Sequence, residues 1–313
     1  MKFIRNLLII FVCFSCISIS LRAFYSYHQS KLFYASIKNE KEGKFLAGSS
    51  LGALALNDSI LKDWQNSCVS GANFANIFFR LNASMSYLNK VDTIVLVLGS
   101  SQVVYENKYS DVSVRDRTKF DENDFFMSGV GDAWSKIVLK SPYLISTLFY
   151  NNIYNLLNPN VLRTGGGFHA NANKNLELDV HRMNLMDLSP TKYTYAYLTK
   201  SMSKQFYFIR KTIDLCLKNN KVCVLMNLPI YQCDRWFNKM TYLDFLDTLE
   251  GKEKILIADY EDYELPDSCY MDVVHLNKYG SDILCNDIKE NGLRLERLPD
   301  FVASRRVAWR KKE

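Results

Sequence analysis

Residues 92–99 read Asp-Thr-Ile-Val-Leu-Val-Leu-Gly. A continuous apolar run closed by glycine has no polar face to give to water. Such a strand is buried on both sides, as in a parallel sheet, and helices must cover both of those sides. The rest of the chain therefore has to supply alternating strands and helices.

It does so on both sides of this strand. Lys44–Gly48 (KFLAG) reads as a first strand, and SLGALALNDSILKDW follows with helical spacing. NSCVSGANF predicts a short strand ending at Gly71. FANIFFRLNASMSYLNK predicts an amphipathic helix with Phe74, Ile77, Phe78 and Leu81 on one face. Beyond residue 195, YLTKSMSKQFYFIRKTIDLCLKNN predicts a long helix, KVCVLMNLP a strand, YLDFLDTLEG a helix and KILIADY a strand. NKYGSDILCNDIKENG predicts a last helix, with Asn277 as N-cap and Gly292 just past its end. The expected fold is α/β, a three-layer α/β/α arrangement with a central parallel, flavodoxin-like sheet. Residues 105–195 break the alternation and read as an inserted helical and loop segment. In open parallel sheets, sites form beyond the carboxyl ends of the strands. The two Gly-Ser-Ser turns (residues 48–50 and 99–101), Gly71 and the loop before His275 all fall at such ends.

The N-terminus, MKFIRNLLIIFVCFSCISISLRAF, has Lys2 and Arg5 before an apolar stretch from Leu7 to about Leu21. In form it is an export signal. The stretch falls just under the usual minimum of about 17 residues for a spanning helix, and snorkelling of Arg5 and Arg22 would extend it. Arg22 stands where a small-residue cleavage site would follow, so residues 1–24 read as an uncleaved anchor with the N-terminus inside. A cleaved signal peptide and lipidation at Cys16 are the alternatives. All three place the body outside the cytoplasm, as a membrane-anchored periplasmic or cell-surface domain. Residues 25–43 are a polar stalk, 44–292 the main domain and 293–313 a basic tail.

The chain carries a net charge of +6, and four of those six charges lie in the tail. A basic end of this kind could touch anionic lipid or glycan; the plainer reading is a solvated, frayed end. Trp309 would be an interfacial anchor on the first reading. No nucleic-acid motif is present, and the basic residues do not interleave with aromatics over a long surface. Six of the eight cysteines lie beyond the apolar segment, at 68, 216, 223, 233, 269 and 285. Export permits disulfides, but spacing alone cannot choose among the pairings, and buried free thiols read equally well.

The chemistry concentrates in LPDSCYMDVVHLNKYG, where Asp272 stands three residues before His275, after a strand and before a helix. The other histidines, His28, His169 and His181, have Tyr25, Gly166 and Leu178 at that offset. A serine hydroxyl needs an adjacent base, and the base needs a third group to fix its tautomer. His275 would be the base and Asp272 the orienting carboxylate of a serine triad. Ser50 N–H and Gly71 N–H could hold an oxyanion, each such donor contributing about 3–4 kcal/mol. Each residue also has a plain structural reading: Ser50 as N-cap, Ser101 as a turn serine, His275 as a hydrogen-bonded core histidine. RTGGGFHANANKN lacks the ending of a phosphate-binding P-loop. It reads as a loop beside the site, with His169 reaching substrate. His169, Asp179 and His181 have no diagnostic metal spacing. The aromatic stretch from Tyr143 to Tyr154 reads as core, or as a wall for a sugar or acyl chain.

The order of these pieces resembles the SGNH, or GDSL-type, hydrolases, and specifically their membrane-anchored members. That family places a serine in Gly-Asp-Ser after the first strand, a glycine after the second, Gly-x-Asn after the third and Asp-x-x-His near the C-terminus. The matching stretches are Gly48-Ser49-Ser50, Gly71 in VSGAN, Gly99-Ser100-Ser101, and Asp272 to His275 in DVVHLN, with Gly280 following. The resemblance implies Ser50 as nucleophile, His275 as base and Asp272 as its partner. It implies Ser50 N–H, Gly71 N–H and Ser101, which stands where the family has asparagine, as oxyanion donors. Ser49 stands where the family has aspartate. It implies serine-dependent acyl-ester chemistry, by an esterase or an O-acyltransferase, with an acetyl group and cell-surface carbohydrate. The substrate would be an acylated glycan or small acyl ester, and a multipass membrane acyltransferase could be the partner. No metal or organic cofactor is implied. Ser101 in place of asparagine keeps a second expectation open, a catalytically degenerate scaffold that binds glycan or that membrane partner.

Overall fold

The computed structural model describes residues 43–69, 72, 74–99, 195–231, 239–272 and 274–310, together with Arg5, Asn6, Ile9, Cys13, Ile17 and Ser20, which are helical. The expected anchor (1–24) and stalk (25–43) lie almost wholly outside the described residues, and the expected insertion (105–195) does so apart from its last residue. Among the described residues no helix is long and apolar enough to cross a membrane.

Strands β1 (Gly43–Ala47), β2 (Trp64–Asn66), β3 (Val91–Val97), β4 (Val222–Asn227), β5 (Ile255–Asp259) and β6 (Leu295–Arg297) form one sheet in the order β2-β1-β3-β4-β5-β6. The first five run parallel, and β6 pairs antiparallel with β5. β3 is the central strand the sequence predicts: Leu46, Val95 and Val224 lie in register across β1, β3 and β4. Ile94 through Leu98 are wholly buried. Each such side chain contributes about 1.5–3 kcal/mol of burial.

The helices are α1 (Ser50–Ala55), α2 (Phe74–Ser84), α3 (Tyr195–Lys218), α4 (Lys239–Asp247), α5 (Lys278–Asn291) and α6 (Leu298–Arg310). The path from β1 to β2 moves one way along the sheet, and those from β2 to β3, β4 and β5 move the other way. Right-handed crossovers then put α1 on one face and α2, α3 and α4 on the opposite face. The core divides accordingly. Phe45, Ile94, Leu96, Cys223 and Leu225 face α2, α3, α4 and α6 through Phe74, Ile213, Tyr242, Leu246 and Phe301. The alternate strand residues, Leu46, Val95, Val97, Val224 and Met226, face α1 and α5 through Leu51, Ala55, Leu284 and Ile288. The result is the expected three-layer α/β/α fold, with its reversal of strand order between β1 and β3.

Three sequence expectations differ from the structure. α1 covers only six residues, because Asn57 turns the chain: its carbonyl accepts from the Ile60 and Leu61 N–H groups. The second strand is Trp64–Asn66, ahead of the expected stretch. Ser67 N–H and Val69 N–H still reach Leu46 and Gly48 carbonyls, but β1 has turned into α1 there and no ladder is returned. The expected frayed basic end is folded as β6 and α6, with Leu298, Phe301 and Val302 buried. Four of its arginines are paired within the domain: Arg294 with Asp287 at 3.0 Å, Arg297 with Asp300 at 2.8 Å, Arg305 with Asp259 at 2.7 Å, and Arg306 with Asp244 at 2.9 Å.

Candidate active site

Asp272 and His275 sit in a tongue between β5 and α5. Its stem is an antiparallel bridge between Tyr270 and Leu276, with Asn277 N–H bonded to the Cys269 carbonyl at 3.0 Å. At the tip, Met271 N–H donates to the His275 carbonyl at 2.9 Å. Asp272 Oδ1 accepts from the Val274 and His275 backbone N–H groups, both at 2.9 Å. This is an Asx-type turn, in which a short carboxylate folds the backbone that follows it. It explains the three-residue spacing, because the turn brings the ring of residue 275 back onto the carboxylate of 272. His275 Nδ1 lies 2.8 Å from Asp272 Oδ2 and 3.0 Å from Oδ1.

The tongue is fixed to the helix behind it. Asn277 Oδ1 caps α5 by accepting from Tyr279 and Gly280 N–H, while its amide donates to the Ser268 carbonyl at 2.6 Å. A Cβ at Gly280 would stand 2.4 Å from the Cys269 carbonyl oxygen, so only glycine lets α5 begin this close to the stem. α5 then locks onto the far end of α1: Ser281 Oγ donates to the Ala55 carbonyl at 2.9 Å, filling an acceptor that a helix C-terminus leaves open.

Ser50 is the first residue of α1, directly beyond β1 at the reversal of strand order, where α/β sheets form their sites. Its Oγ lies 2.8 Å from His275 Nε2. Burial raises the Asp272 pKa, but the His275 ring and the two backbone N–H groups outweigh it and hold the carboxyl below its ordinary value. An ionised carboxylate only accepts, so His275 Nδ1 carries the proton and Nε2 presents a lone pair to the serine hydroxyl. The His275 side chain is 19% exposed and Asp272 is 47% exposed, so a reacting group could approach from solvent.

The structure therefore brings together Ser50, His275 and Asp272, residues 225 and 3 positions apart in sequence. Gly71, Ser101 and His169 lie outside the described residues, as do Asp179 and His181. Among the described residues, no cluster of three or more His, Cys, Asp or Glu could hold a metal ion.

Two supporting residues were not singled out from the sequence. A Cβ at Gly52 would stand 2.4 Å from Cys68 Sγ, so glycine lets α1 lie against the chain leaving β2. Asn66 donates to the Gly52 and Leu56 carbonyls at 3.1 and 2.6 Å and accepts from Cys68 N–H at 2.9 Å. The available clue was a glycine inside a helical pattern, where alanine is favoured by about 1 kcal/mol.

No family model matches the chain, and no curated protein matches it. Among solved structures, a protein from Bacteroides fragilis described as a candidate acylhydrolase is similar at 13% identity and a TM-score of 0.39, covering 85% of this chain and 89% of that one. A Streptococcus pneumoniae protein described as a candidate platelet activating factor is similar at 9% identity and a TM-score of 0.38, covering 88% and 98%.

Proposed function

We propose that the protein is a serine-dependent acyl-ester enzyme of the SGNH type. The observation that carries this reading is the hydrogen-bonded line Ser50 Oγ to His275 Nε2, with Asp272 on the other ring nitrogen. Ser50 attacks the ester carbonyl, and its proton passes to His275 Nε2. The resulting imidazolium is held by Asp272. The alkoxide leaves with the proton that His275 returns, giving an acyl-serine. Ser50 N–H, unpaired within the helix as a first-turn N–H, would face the oxyanion, with Gly71 N–H and the Ser101 hydroxyl as further donors. Water as the second acceptor makes the enzyme an esterase, and a sugar hydroxyl makes it an O-acyltransferase. We assign the acyl group as acetyl and the carbohydrate as cell-surface glycan, with residues 1–24 as the membrane anchor. A multipass membrane acyltransferase is the proposed donor-side partner.

The test uses the full chain in mild detergent with p-nitrophenyl acetate, beside Ser50→Ala and His275→Ala chains of matching circular dichroism. The expected outcome is a burst or turnover that falls by at least about 10³-fold in both variants. A mass increase of one acetyl group on Ser50 would identify the intermediate, and acetylated and free glycans would then separate hydrolysis from transfer. Ser101, in place of the family's asparagine, favours a second reading, a non-catalytic glycan-binding scaffold. Equal rates in all three chains would select it.

A further inference from the structure

β2 ends at Asn66, and the chain that leaves it is bonded to the chain that leaves β1. Ser67 N–H donates to the Leu46 carbonyl and Val69 N–H to the Gly48 carbonyl, both at 3.0 Å. Gly48 stands two residues before Ser50, and Val69 two before Gly71. Ala72 N–H donates to the Val69 carbonyl at 3.1 Å, so the two residues that bracket Ser70 and Gly71 in sequence are themselves bonded. The buried side chain of Asn66 joins this segment to α1. Its Oδ1 accepts from Cys68 N–H at 2.9 Å. Its amide donates to the Gly52 carbonyl at 3.1 Å and to the Leu56 carbonyl at 2.6 Å. Two carbonyls on one side and an N–H on the other fix the orientation of the amide and use both of its protons. The Cys68 bond alone makes an Asx-type turn, which aspartate or serine could also form. The amide adds two donors aimed at α1. A six-residue helix is too short to hold its own place, and the carbonyls at its C-terminus have no partner within it. Asn66 fills one of them from the β2 side, as Ser281 does from α5.

We propose that Asn66 is a positioning residue for the ester reaction. It sets the separation between Ser50, at the start of α1, and the segment from Val69 to Ala72 that carries Gly71. In doing so it sets the spacing of the two backbone N–H groups assigned to the oxyanion. This inference rests on the serine-dependent reading above. Formation of the acyl-serine and its release both pass through an oxyanion, and a displacement of about 1 Å can cost about 10²-fold in rate. Asn66 acts through α1 and the β2 exit, with no bond to Ser50 or His275 in its own right.

The test uses the full chain in mild detergent with p-nitrophenyl acetate, and methylboronic acid as a mimic of the oxyanion. Ser50 Oγ adds to the trigonal boron as its proton passes to His275, leaving a tetrahedral boronate anion on Ser50. Asn66→Ser keeps a hydroxyl that accepts from Cys68 N–H but is too short for the α1 carbonyls. At wild-type circular dichroism, its kcat should fall about 10- to 100-fold with KM within about twofold, and its inhibition constant for methylboronic acid should rise by a similar factor. A purely structural asparagine would lower the urea midpoint and leave kcat and the inhibition constant at wild-type values. That outcome would overturn the proposal, as would a rise in KM alone. Gly52→Ala reaches the same spacing by another route, because its Cβ would stand 2.4 Å from Cys68 Sγ and push α1 off the segment. It should show the same split, and adding Cys68→Ala should recover most of the rate. If Asn66→Ser does not fold, a wild-type kcat in Gly52→Ala overturns the proposal. Equal rates in the wild type and Ser50→Ala would remove the ester reading itself, and this inference with it.

Discussion

The Asp272 carboxylate accepts from three donors, two backbone N–H groups and the His275 ring, and so folds the tongue and sets the imidazole tautomer together. Asp272→Asn separates these roles. An asparagine can still accept the backbone bonds, but its amide presents a donor toward Nδ1 and inverts the tautomer. Activity should fall by up to about 10⁴-fold with the fold retained. The sign of the pH effect follows from the depressed pKa. Its stabilising contribution is fully present above the unfolded carboxylate value of about 3.9, and is lost as pH falls through the lower folded value. The wild type should therefore exceed Asp272→Asn in urea midpoint at pH 7, and the gap should close toward pH 3. A gap independent of pH would show that the carboxylate charge contributes nothing to the tongue. At Gly280 the obstacle is backbone, because an added Cβ meets the Cys269 carbonyl at 2.4 Å. Gly280→Ala should cost about 1–3 kcal/mol of overpacking, read by urea unfolding, and should lower turnover by moving His275. A normal midpoint with normal turnover would mean that α5 can shift without disturbing the site.

At the scale of elements, the site depends on α1 and α5 being fixed at both ends. The tongue brings His275 to the first residue of α1, and Ser281 holds the last. Asn277→Ala removes the α5 cap and the clamp on Ser268 together. The cap alone costs about 0.5–2 kcal/mol. The expected result is a lower thermal midpoint and a reduced rate constant for acyl-serine formation. Unchanged formation kinetics would place the hold on His275 in the Tyr270–Leu276 bridge instead. The strands and the capped α5 were legible because periodicity and capping are local: the unbroken apolar run at 94–98 and the Asn277–Gly292 pair each declare themselves within a few residues. The Asp272–His275 pair was legible for the same reason, since the turn that joins them is local. The length of α1 and the start of β2 were not. The first depends on the turn at Asn57, which interrupts a stretch whose apolar spacing stays helical. The second involves Asn66, whose side chain bonds back to the Gly52 and Leu56 carbonyls, in a segment that the linear pattern treats separately. Gly52 was missed because its reason is a sulfur sixteen residues away in sequence, at Cys68.

For the whole molecule, the C-terminal segment is where a linear reading and the fold part most clearly. Arginines crowd residues 294–310, and by charge density alone they describe a solvated end. In three dimensions Arg294, Arg305 and Arg306 find partners from elsewhere: Asp287 from α5, Asp259 from the end of β5, and Asp244 and Asp247 from α4. α6 covers the sheet beside α4 with Leu298, Phe301 and Val302, which together stabilise by about 5–9 kcal/mol at about 1.5–3 kcal/mol each. That sum is comparable with the whole stability of a typical domain, about 5–15 kcal/mol. Ending the chain after Gly292 should therefore do more than trim a tail. It would open the α4 face of β5 and leave Asp259, whose side chain is only 10% exposed, without Arg305. Breaking a largely buried ion pair from one side costs about 3–5 kcal/mol, so Arg305→Leu should itself lower the urea midpoint clearly. The truncated chain should lose its cooperative transition and its near-ultraviolet circular dichroism, and Arg305→Leu should keep both at a reduced midpoint. A truncated chain that unfolds cooperatively at the wild-type midpoint would mean that α6 is an accessory to the sheet. The stability of the three-layer core would then have to come from α2, α3 and α4 alone on that face.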